Sequence, residues 1–398
     1  MQSDNNNLLK ISKAEADKWI RYGLKKKEED EVNILLSEGN EDKLIESFHK
    51  KLEFGTGGMR GIIGIGSNRI NSYTISLATQ GLCNYLNKIV DGNKSAVIAY
   101  DSRRFSKEFG YQTAKIFSAN NIKSYIFSDL RPTPELSFAV RELNCTCGIV
   151  ITASHNPKEY NGYKVYWNDG GQITAPHDKN IISEVEKITD FKQINFNFNS
   201  DLIEEIDKKI DKKYIDKIQS LSLYDNSGSK LKIIFSSLHG TGITQIPNAL
   251  KSFGFKNISS VRSQELPDPE FSTVVSPNPE DLDALDLGIK KLKKEKADIL
   301  LATDPDSDRV GVALYVNEKI KILNGNQLAS LIVYYSLLNL DKRKINKPSY
   351  VAKTIVTTRL IDEIARDYSV KTYSTLTGFK YIAELIKNKK NEKFIAGG

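Results

Sequence analysis

The sequence predicts an α/β protein built as three consecutive related α/β domains, with mixed sheets flanked by helices. Three observations carry that expectation. At 398 residues the chain is too long for one ordinary core, which sets a prior of two to four domains. Runs rich in β-branched residues alternate with helical patterns, the mark of sheets with helices packed on them. A polar stretch, 187–230, rich in Lys, Asn and Asp and ending in "YDNSGSK", separates the first set from the next. The expected division is 1–205, 206–318 and 319–398.

The elements follow in order. The first ~50 residues read as helices, with Ser12-x-x-Glu15 as a capping box ahead of "ADKWIRYGLKKK". A glycine-dense turn, "EFGTGGMRGIIGIG", comes next. "SAVIAYDSR" and "SYIFSD" are strands, and "TPELSFAVREL" is a helix with Thr133 as cap and Pro134 in its first turn. "CGIVITASHNP" is a strand running into a loop. The second set holds the strand "LKIIFSS", a helix after "GTG", a helix after "PNPEDLDAL" and the run "ADILLATDPDSDRVGVALYV". The third opens with "NGNQLASLIVYYSLL", followed by the strand "YVAKTIV" and a helix from Thr358. It ends with the strand "KTYST", the helix "TGFKYIAELIKNKK" and the strand "KFIA". Ligands of open α/β sheets bind beyond the carboxyl ends of strands. A chain that stops at Gly397-Gly398, where such a loop would start, reads as cut.

Composition narrows the class. Hydrophobic residues at 39% and charged residues at 27% fit a globular protein, and no apolar run approaches the ~20 residues of a membrane span. The N-terminus lacks the basic-then-apolar pattern of a secretory signal. Cys145 and Cys147 are expected to share one strand face, and with Cys83 they point to a reduced, cytoplasmic home. Net charge is +7, but the lysine runs at 25–27 and 290–296 mix with Glu and carry no interleaved aromatics. They read as solvated helix faces, so neither nucleic acid nor membrane is an expected partner.

Two stretches carry chemistry. In "DPDSDR", Asp304, Asp306 and Asp308 recur at every second position after a strand. On a gently turning backbone they share one side and repel unless a cation neutralises them. Hard oxygen ligands favour Mg²⁺ or Ca²⁺ over zinc. An EF-hand fails, because Arg309 and Tyr315 stand where it needs Gly and Glu. A D-x-D phosphatase favours Thr or Val where Asp308 stands. A solvated acidic turn is the plain alternative, and a Mg²⁺ site is preferred to it.

In "TASHNP", Ser154 lacks the glycines of a hydrolase elbow, since Thr152 and Asn156 occupy them. His155 is its chain neighbour and would face the other way on a strand. On local grounds an ordinary turn accounts for the stretch equally well. Charge tips the balance. Mg²⁺ on three aspartates leaves about −1 and open coordination positions. A phosphorylated serine would add about −1.5 to −2, and Lys164, Arg309 and Arg60 lie near the same strand ends to offset it. Asp101 and Arg103 read as a structural pair and Trp167 as packing, while His239 stays unassigned. Gly55, Gly57 and Gly58 fit either a phosphate cradle or a turn needing positive φ.

Taken together, "TASHNP", "NGYK", "DPDSDR", "FGTGGMRG" and "TLTGFKYI" resemble the α-D-phosphohexomutase superfamily, in its phosphoglucomutase/phosphomannomutase branch, in family order across 50–398. The resemblance implies that Ser154 carries the catalytic phosphoryl group. It implies that Asp304, Asp306 and Asp308 hold Mg²⁺, with an oxygen of phosphorylated Ser154 as a further ligand. Lys164 and Arg309 would flank the reacting phosphate, Lys164 moving the proton with a pKa lowered by burial or by Arg309. Arg60 would reach the site and His155 would support it. Lys380 would contact the sugar phosphate. A hexose 1,6-bisphosphate would be the activator and a hexose phosphate the substrate, with glucose ahead of mannose and pentose phosphates, for a monomer or homodimer. Relatives carry an E-E/P-S-G sugar-reading loop after a paired glycine and then a fourth domain, so the third domain is expected to be incomplete and the fourth absent. A Mg²⁺-dependent sugar phosphatase and a non-catalytic sugar-phosphate binder remain the rival classes.

Overall fold

The structure, a computed structural model, describes residues 2–55, 58–341 and 345–398. Three helices open the chain: α1 (Gln2–Arg21), α2 (Lys26–Leu36) and α3 (Glu41–Phe48). Ser12 lies inside α1 and caps nothing. Its hydroxyl donates to the carbonyl of Leu8 at 2.8 Å, the back-bonding open to a serine within a helix. These helices are sealed to the first unit by Trp19, whose ring meets Phe48 edge-on at 5.6 Å and Phe191 at 5.2 Å.

The first sheet comprises β1 (Phe54–Gly55), β2 (Gly58–Ile62), β3 (Lys94–Tyr100), β4 (Ile122–Phe127), β5 (Cys147–Ile151), β6 (Tyr160–Trp167) and β7 (Ile203–Ile206). Its spatial order is β1-β2-β6-β5-β3-β4-β7. The β5, β3, β4 and β7 pairings are parallel, and β5–β6–β2–β1 continues antiparallel. Helices α4 (Ser72–Ile89), α5 (Ser106–Ala119), α6 (Thr133–Glu142) and α7 (His177–Glu186) cover its faces. Alternation along β3 sends Ile98 to one core and Val97 and Ala99 to the other. The cysteines depart from expectation in this respect. Cys147 packs in the core with Ile98, while Cys145, outside β5, joins the opposite core. Trp167 is packed as expected, stacked on His177 at 4.0 Å.

Helix α8 (Lys208–Gln219) leads to the second unit. Its sheet has β8 (Lys232–Ser236), β9 (Asn257–Ser260), β10 (Ile299–Thr303), β11 (Val310–Val316) and β12 (Lys319–Leu323), in the order β12-β11-β10-β8-β9. Helices α9 (Gly242–Ser252) and α10 (Leu282–Glu295) flank it. In α10 the lysine run lies on a solvated face, where Lys290 pairs with Asp286 and Lys291 with Glu295, each at 2.6 Å. The sheet extends past the division expected at 318/319. Asn317 and Glu318 both take positive φ, 51° and 61°, the backbone of a tight hairpin turn, and fold β12 back onto β11.

The third unit contains α11 (Gly325–Leu338), β13 (Ser349–Thr354), α12 (Leu360–Asp367), β14 (Lys371–Thr375), α13 (Phe379–Asn388) and β15 (Lys393–Gly397). Its strands pair in parallel as β14-β13-β15. The trios β5-β3-β4, β10-β8-β9 and β15-β13-β14 follow one wiring. The three units are thus variations on one α/β design. In the first two, the outer strand of the trio turns into an antiparallel partner, and the loops at those turns carry the candidate chemistry.

Candidate active site

The loop between β5 and β6 holds Ser154, and the loop between β10 and β11 holds the three aspartates. They meet face to face. Ser154 Oγ donates to Asp304 Oδ2 at 2.8 Å, although the residues are 150 apart in the chain. The serine is 3% exposed and adopts φ 54°, a left-handed conformation that a non-glycine residue takes only under constraint. That turn ends strand alternation. His155 therefore does not face away, as a strand would require, and its Nδ1 lies 3.2 Å from Ser154 Oγ.

The constraint comes from Arg103. Buried in an ion pair with Asp101 at 3.2 Å, it donates to the carbonyls of Ser154 (2.6 Å), Asn156 (2.5 Å), Pro157 (2.8 Å) and Tyr160 (3.0 Å). Its guanidinium lies over Phe271 of the second unit at 5.0 Å. A rigid fork of donors suits this task. Asp101 and Arg103 are thus a structural pair, as read from the sequence, and their object is the serine loop. Thr152 Oγ1 accepts from the Ser154 N–H at 2.8 Å. From the second unit, Glu270 pairs with Arg104 and, at 3.2 Å, with Lys158.

The aspartate loop is braced by backbone. The Thr241 N–H donates to the Pro305 carbonyl at 2.7 Å. A Cβ at Gly240 would sit 2.3 Å from Pro305 Cα, so only glycine allows the approach. His239, unassigned from the sequence, bonds Thr273 Oγ1 at 2.8 Å and the Leu266 carbonyl at 3.2 Å. It holds the 266–273 loop and faces away from the chemistry. Gly58 takes φ +105°, and a Cβ there would lie 2.5 Å from the Tyr163 carbonyl. Close approach therefore explains this glycine; Gly57 falls outside the described residues.

One carboxylate oxygen from each of Asp304, Asp306 and Asp308 lies within 4.8 Å of the others, with Asp304 and Asp306 fully buried. Lys164 reaches Asp306 Oδ2 at 2.8 Å and Asp308 Oδ2 at 3.2 Å. One ammonium faces three carboxylates. Burial, with Asp306 and Asp308, pushes Asp304 well above the usual carboxylate range. Against the cost of burial, Lys164 holds Asp306 below that range. Asp306 Oδ1 is buried with no hydrogen-bond partner among the described residues. Three carboxylates crowded closely enough to push one of them towards its protonated form fit a hard divalent cation with oxygen ligands.

Other expected residues fall as follows. The lowered pKa expected of Lys164 is not found. Burial does act downward, but Asp306 and Asp308 outweigh it and hold the amine well above its ordinary value. Arg309 donates through its backbone N–H to Asp304 Oδ1 at 3.0 Å, while its side chain, 39% exposed, lies 3.7 Å from Glu280. Arg60, opposite Gly162 across the β2–β6 pairing, donates to Asn156 Oδ1 at 2.7 Å. Burial, Arg309 and Arg60 push His155 down to about 4, which leaves a neutral imidazole. Lys380 is on the first turn of α13 with its ammonium 5.0 Å from the Tyr381 ring. Among the described residues, no hydrogen bond or ion pair joins it to the serine–aspartate cluster.

Sequence reasoning missed Thr133. It is the first residue of α6, but Pro132 occupies the N-cap position, so its hydroxyl is not at the cap. Instead its Oγ1 donates to Asp306 Oδ2 at 2.9 Å and its N–H to the Asp306 carbonyl at 2.9 Å. Arg103 and Asn161, which bonds the Arg104 carbonyl at 3.0 Å, were equally hidden as site braces, because each acts on a segment remote in sequence.

A buried serine hydroxyl pressed against a cluster of three carboxylates that could hold a cation, at matching turns of two related sheets, is an arrangement suited to phosphoryl transfer. Comparison with known proteins gives the family. Models of phosphoglucomutase/phosphomannomutase alpha/beta/alpha domains I, II and III match residues 51–192, 212–316 and 324–398 in turn. The chain belongs to the α-D-phosphohexomutase superfamily, in its phosphoglucomutase/phosphomannomutase family. It is 39% identical over 346 residues to a phosphoglucomutase of Staphylococcus aureus MRSA252, an alignment covering 86% of this chain. The chain spans 62% of the length of that relative. Among solved structures it resembles a Thermus thermophilus protein assigned as a phosphomannomutase, with TM-score 0.72 and 26% identity over 88% of this chain and 75% of that one. It shares the fold of a Burkholderia thailandensis family protein, with TM-score 0.69 and 20% identity over 85% of this chain and 69% of that one. No helix among the described residues is long and apolar enough to cross a membrane.

Proposed function

We propose that this chain carries the phosphoryl-transferring part of a phosphohexomutase, interconverting hexose 1-phosphate and hexose 6-phosphate. One observation carries the reading: the Ser154 hydroxyl and the Asp304 carboxylate, from two units, are within hydrogen-bond distance. Glucose is the preferred sugar in this proposal, on the strength of relatives named phosphoglucomutase, with mannose and pentose phosphates behind. The protein would work in the cytoplasm as a monomer or homodimer, its three cysteines free and buried.

Asp304, Asp306 and Asp308 would hold Mg²⁺, with an oxygen of phosphorylated Ser154 as a further ligand. Bound there, Mg²⁺ supplies charge stabilisation to the transferring phosphoryl group. The remaining work falls to the chain. A hexose 1,6-bisphosphate loads Ser154: its P–O bond to the sugar breaks as the bond to Oγ forms, and the proton lost from Oγ ends on the released sugar oxygen, leaving a hexose monophosphate. Asp304 Oδ2 accepts from Oγ and so is placed to relay that proton, with His155 Nδ1 3.2 Å from the same oxygen. Lys164, an ammonium in this structure, acts as a fixed cation beside the phosphate. Arg60 and Arg309, at the rim, supply the further positive charge that transfer needs. Lys380 grips the sugar phosphate from the third unit. The loaded serine then donates to the free hydroxyl of the opposite isomer.

A coupled assay tests this reading by following glucose 1-phosphate to glucose 6-phosphate with Mg²⁺ and the bisphosphate. Turnover by the wild type and its loss in Ser154→Ala are expected. Release of inorganic phosphate that survives Ser154→Ala would point to an aspartate-dependent phosphatase. Binding without conversion would point to a sugar-phosphate binder.

A further inference from the structure

Helix α6 belongs to the first unit, yet its first residue is bonded to the second. Thr133 is 5% exposed, and both its backbone N–H and its hydroxyl end on Asp306, each at 2.9 Å. The hydroxyl shares Asp306 Oδ2 with the Lys164 ammonium. Both donors come from the first unit, and both act on the same oxygen. With Oδ2 doubly engaged, the carboxylate is held against rotation, and Oδ1 is left buried with no hydrogen-bond partner among the described residues.

The helix does not use this hydroxyl as its cap, since Pro132 occupies the N-cap position. The turn is anchored independently. Arg131 pairs with Asp211 at 2.9 Å and Asp207 at 3.3 Å, and Gln245 of α9 donates to Glu135 at 3.4 Å. An anchored helix start thus presents one polar side chain to one carboxylate oxygen across the interface.

We infer that Thr133 is a positioning residue for the cation site: its hydroxyl fixes the rotation of the Asp306 carboxylate so that Oδ1 faces the ion. The inference rests on reading the three aspartates as a cation site. It adds that the site is complete only when the first unit is docked on the second, because the carboxylates come from one and their orienting donors from the other. Groups that orient a ligand in this way contribute about 10- to 100-fold to metal affinity.

The test is a Mn²⁺ titration of the whole chain, read by the electron paramagnetic resonance of the free ion. Thr133→Val, nearly the same shape without the hydroxyl, weakens Mn²⁺ by about tenfold or more. Thr133→Ser, which restores the donor, stays within a few-fold of wild type, and Thr133→Ala serves in place of the valine variant if that fails to fold. Asp304→Asn is the control for the site and abolishes tight binding. Wild-type affinity in the valine or alanine variant, or an equal loss in the serine variant, overturns the positioning role while the site stands. Wild-type affinity in Asp304→Asn, or no binding by the wild type, overturns the site itself.

Discussion

The serine loop and the aspartate loop occupy the same place in two sheets of one design, but opposite means hold them. Arg103 fills the serine loop from beneath, satisfying four carbonyls at once, and forces Ser154 into positive φ. The aspartate loop is held by close backbone approach at Gly240 and Thr241 and crowds three carboxylates together, with Asp306 Oδ1 lacking a hydrogen-bond partner among the described residues. The difference shows what each half contributes. In the proposed function one presents the nucleophile and the other holds the cation, and the hydrogen bond between Ser154 and Asp304 marks where the two loops meet.

The comparison breaks most severely if the arginine is removed. Arg103→Met leaves the Asp101 carboxylate and four carbonyls buried without their partner, and should cost about 3–5 kcal/mol, measured by urea unfolding with or without Mg²⁺. An unchanged stability would mean that the loop holds its own shape. The aspartate side should respond to the ion alone. Mg²⁺ at a hundredfold excess over its Kd should stabilise the wild type by about 2.7 kcal/mol; chelation should reverse the gain and Asp304→Asn should abolish it. An equal Mg²⁺ effect in that variant would sever the ion from this loop.

The smallest effect lies beneath both loops, where α6 meets α9. Burial and Asp211, against Arg131 and Gln245, push Glu135 up to about 9 from an ordinary 4.5. Its pKa is raised on folding, so the stability it contributes is whole below the unfolded value and is lost as pH rises towards 9. Glu135→Gln stays neutral and should gain on the wild type steadily between pH 5 and 9, by at most about 1.4 kcal/mol per pH unit. Parallel pH–stability curves would refute the burial of a neutral carboxyl there.

What the sequence disclosed was local. Ile149 to Thr152 run straight into Ser154, and acids at every second position follow "ILLAT"; both are strand-to-loop signals that need no partner to be seen. What it concealed was long-range. Thr133 has the chemistry of a cap and reads as one, because nothing near it in the chain reveals Asp306. The pairing of Lys164 with Asp306 spans 142 residues, and it reverses the expected direction of the lysine's pKa. The β11–β12 hairpin escaped because its turn, Asn317-Glu318, lacks the glycine that usually announces positive φ. Ser12 imitates a capping box inside a longer helix.

The central claim is that Ser154 accepts and carries a phosphoryl group at a cation-dependent site. Intact mass of the whole chain, after incubation with glucose 1,6-bisphosphate and Mg²⁺, addresses it directly. The account predicts the gain of one phosphoryl group in the wild type, mapped to the peptide bearing Ser154, and no gain in Ser154→Ala or after chelation. Phosphate appearing on another residue, or equally in the alanine variant, would contradict it.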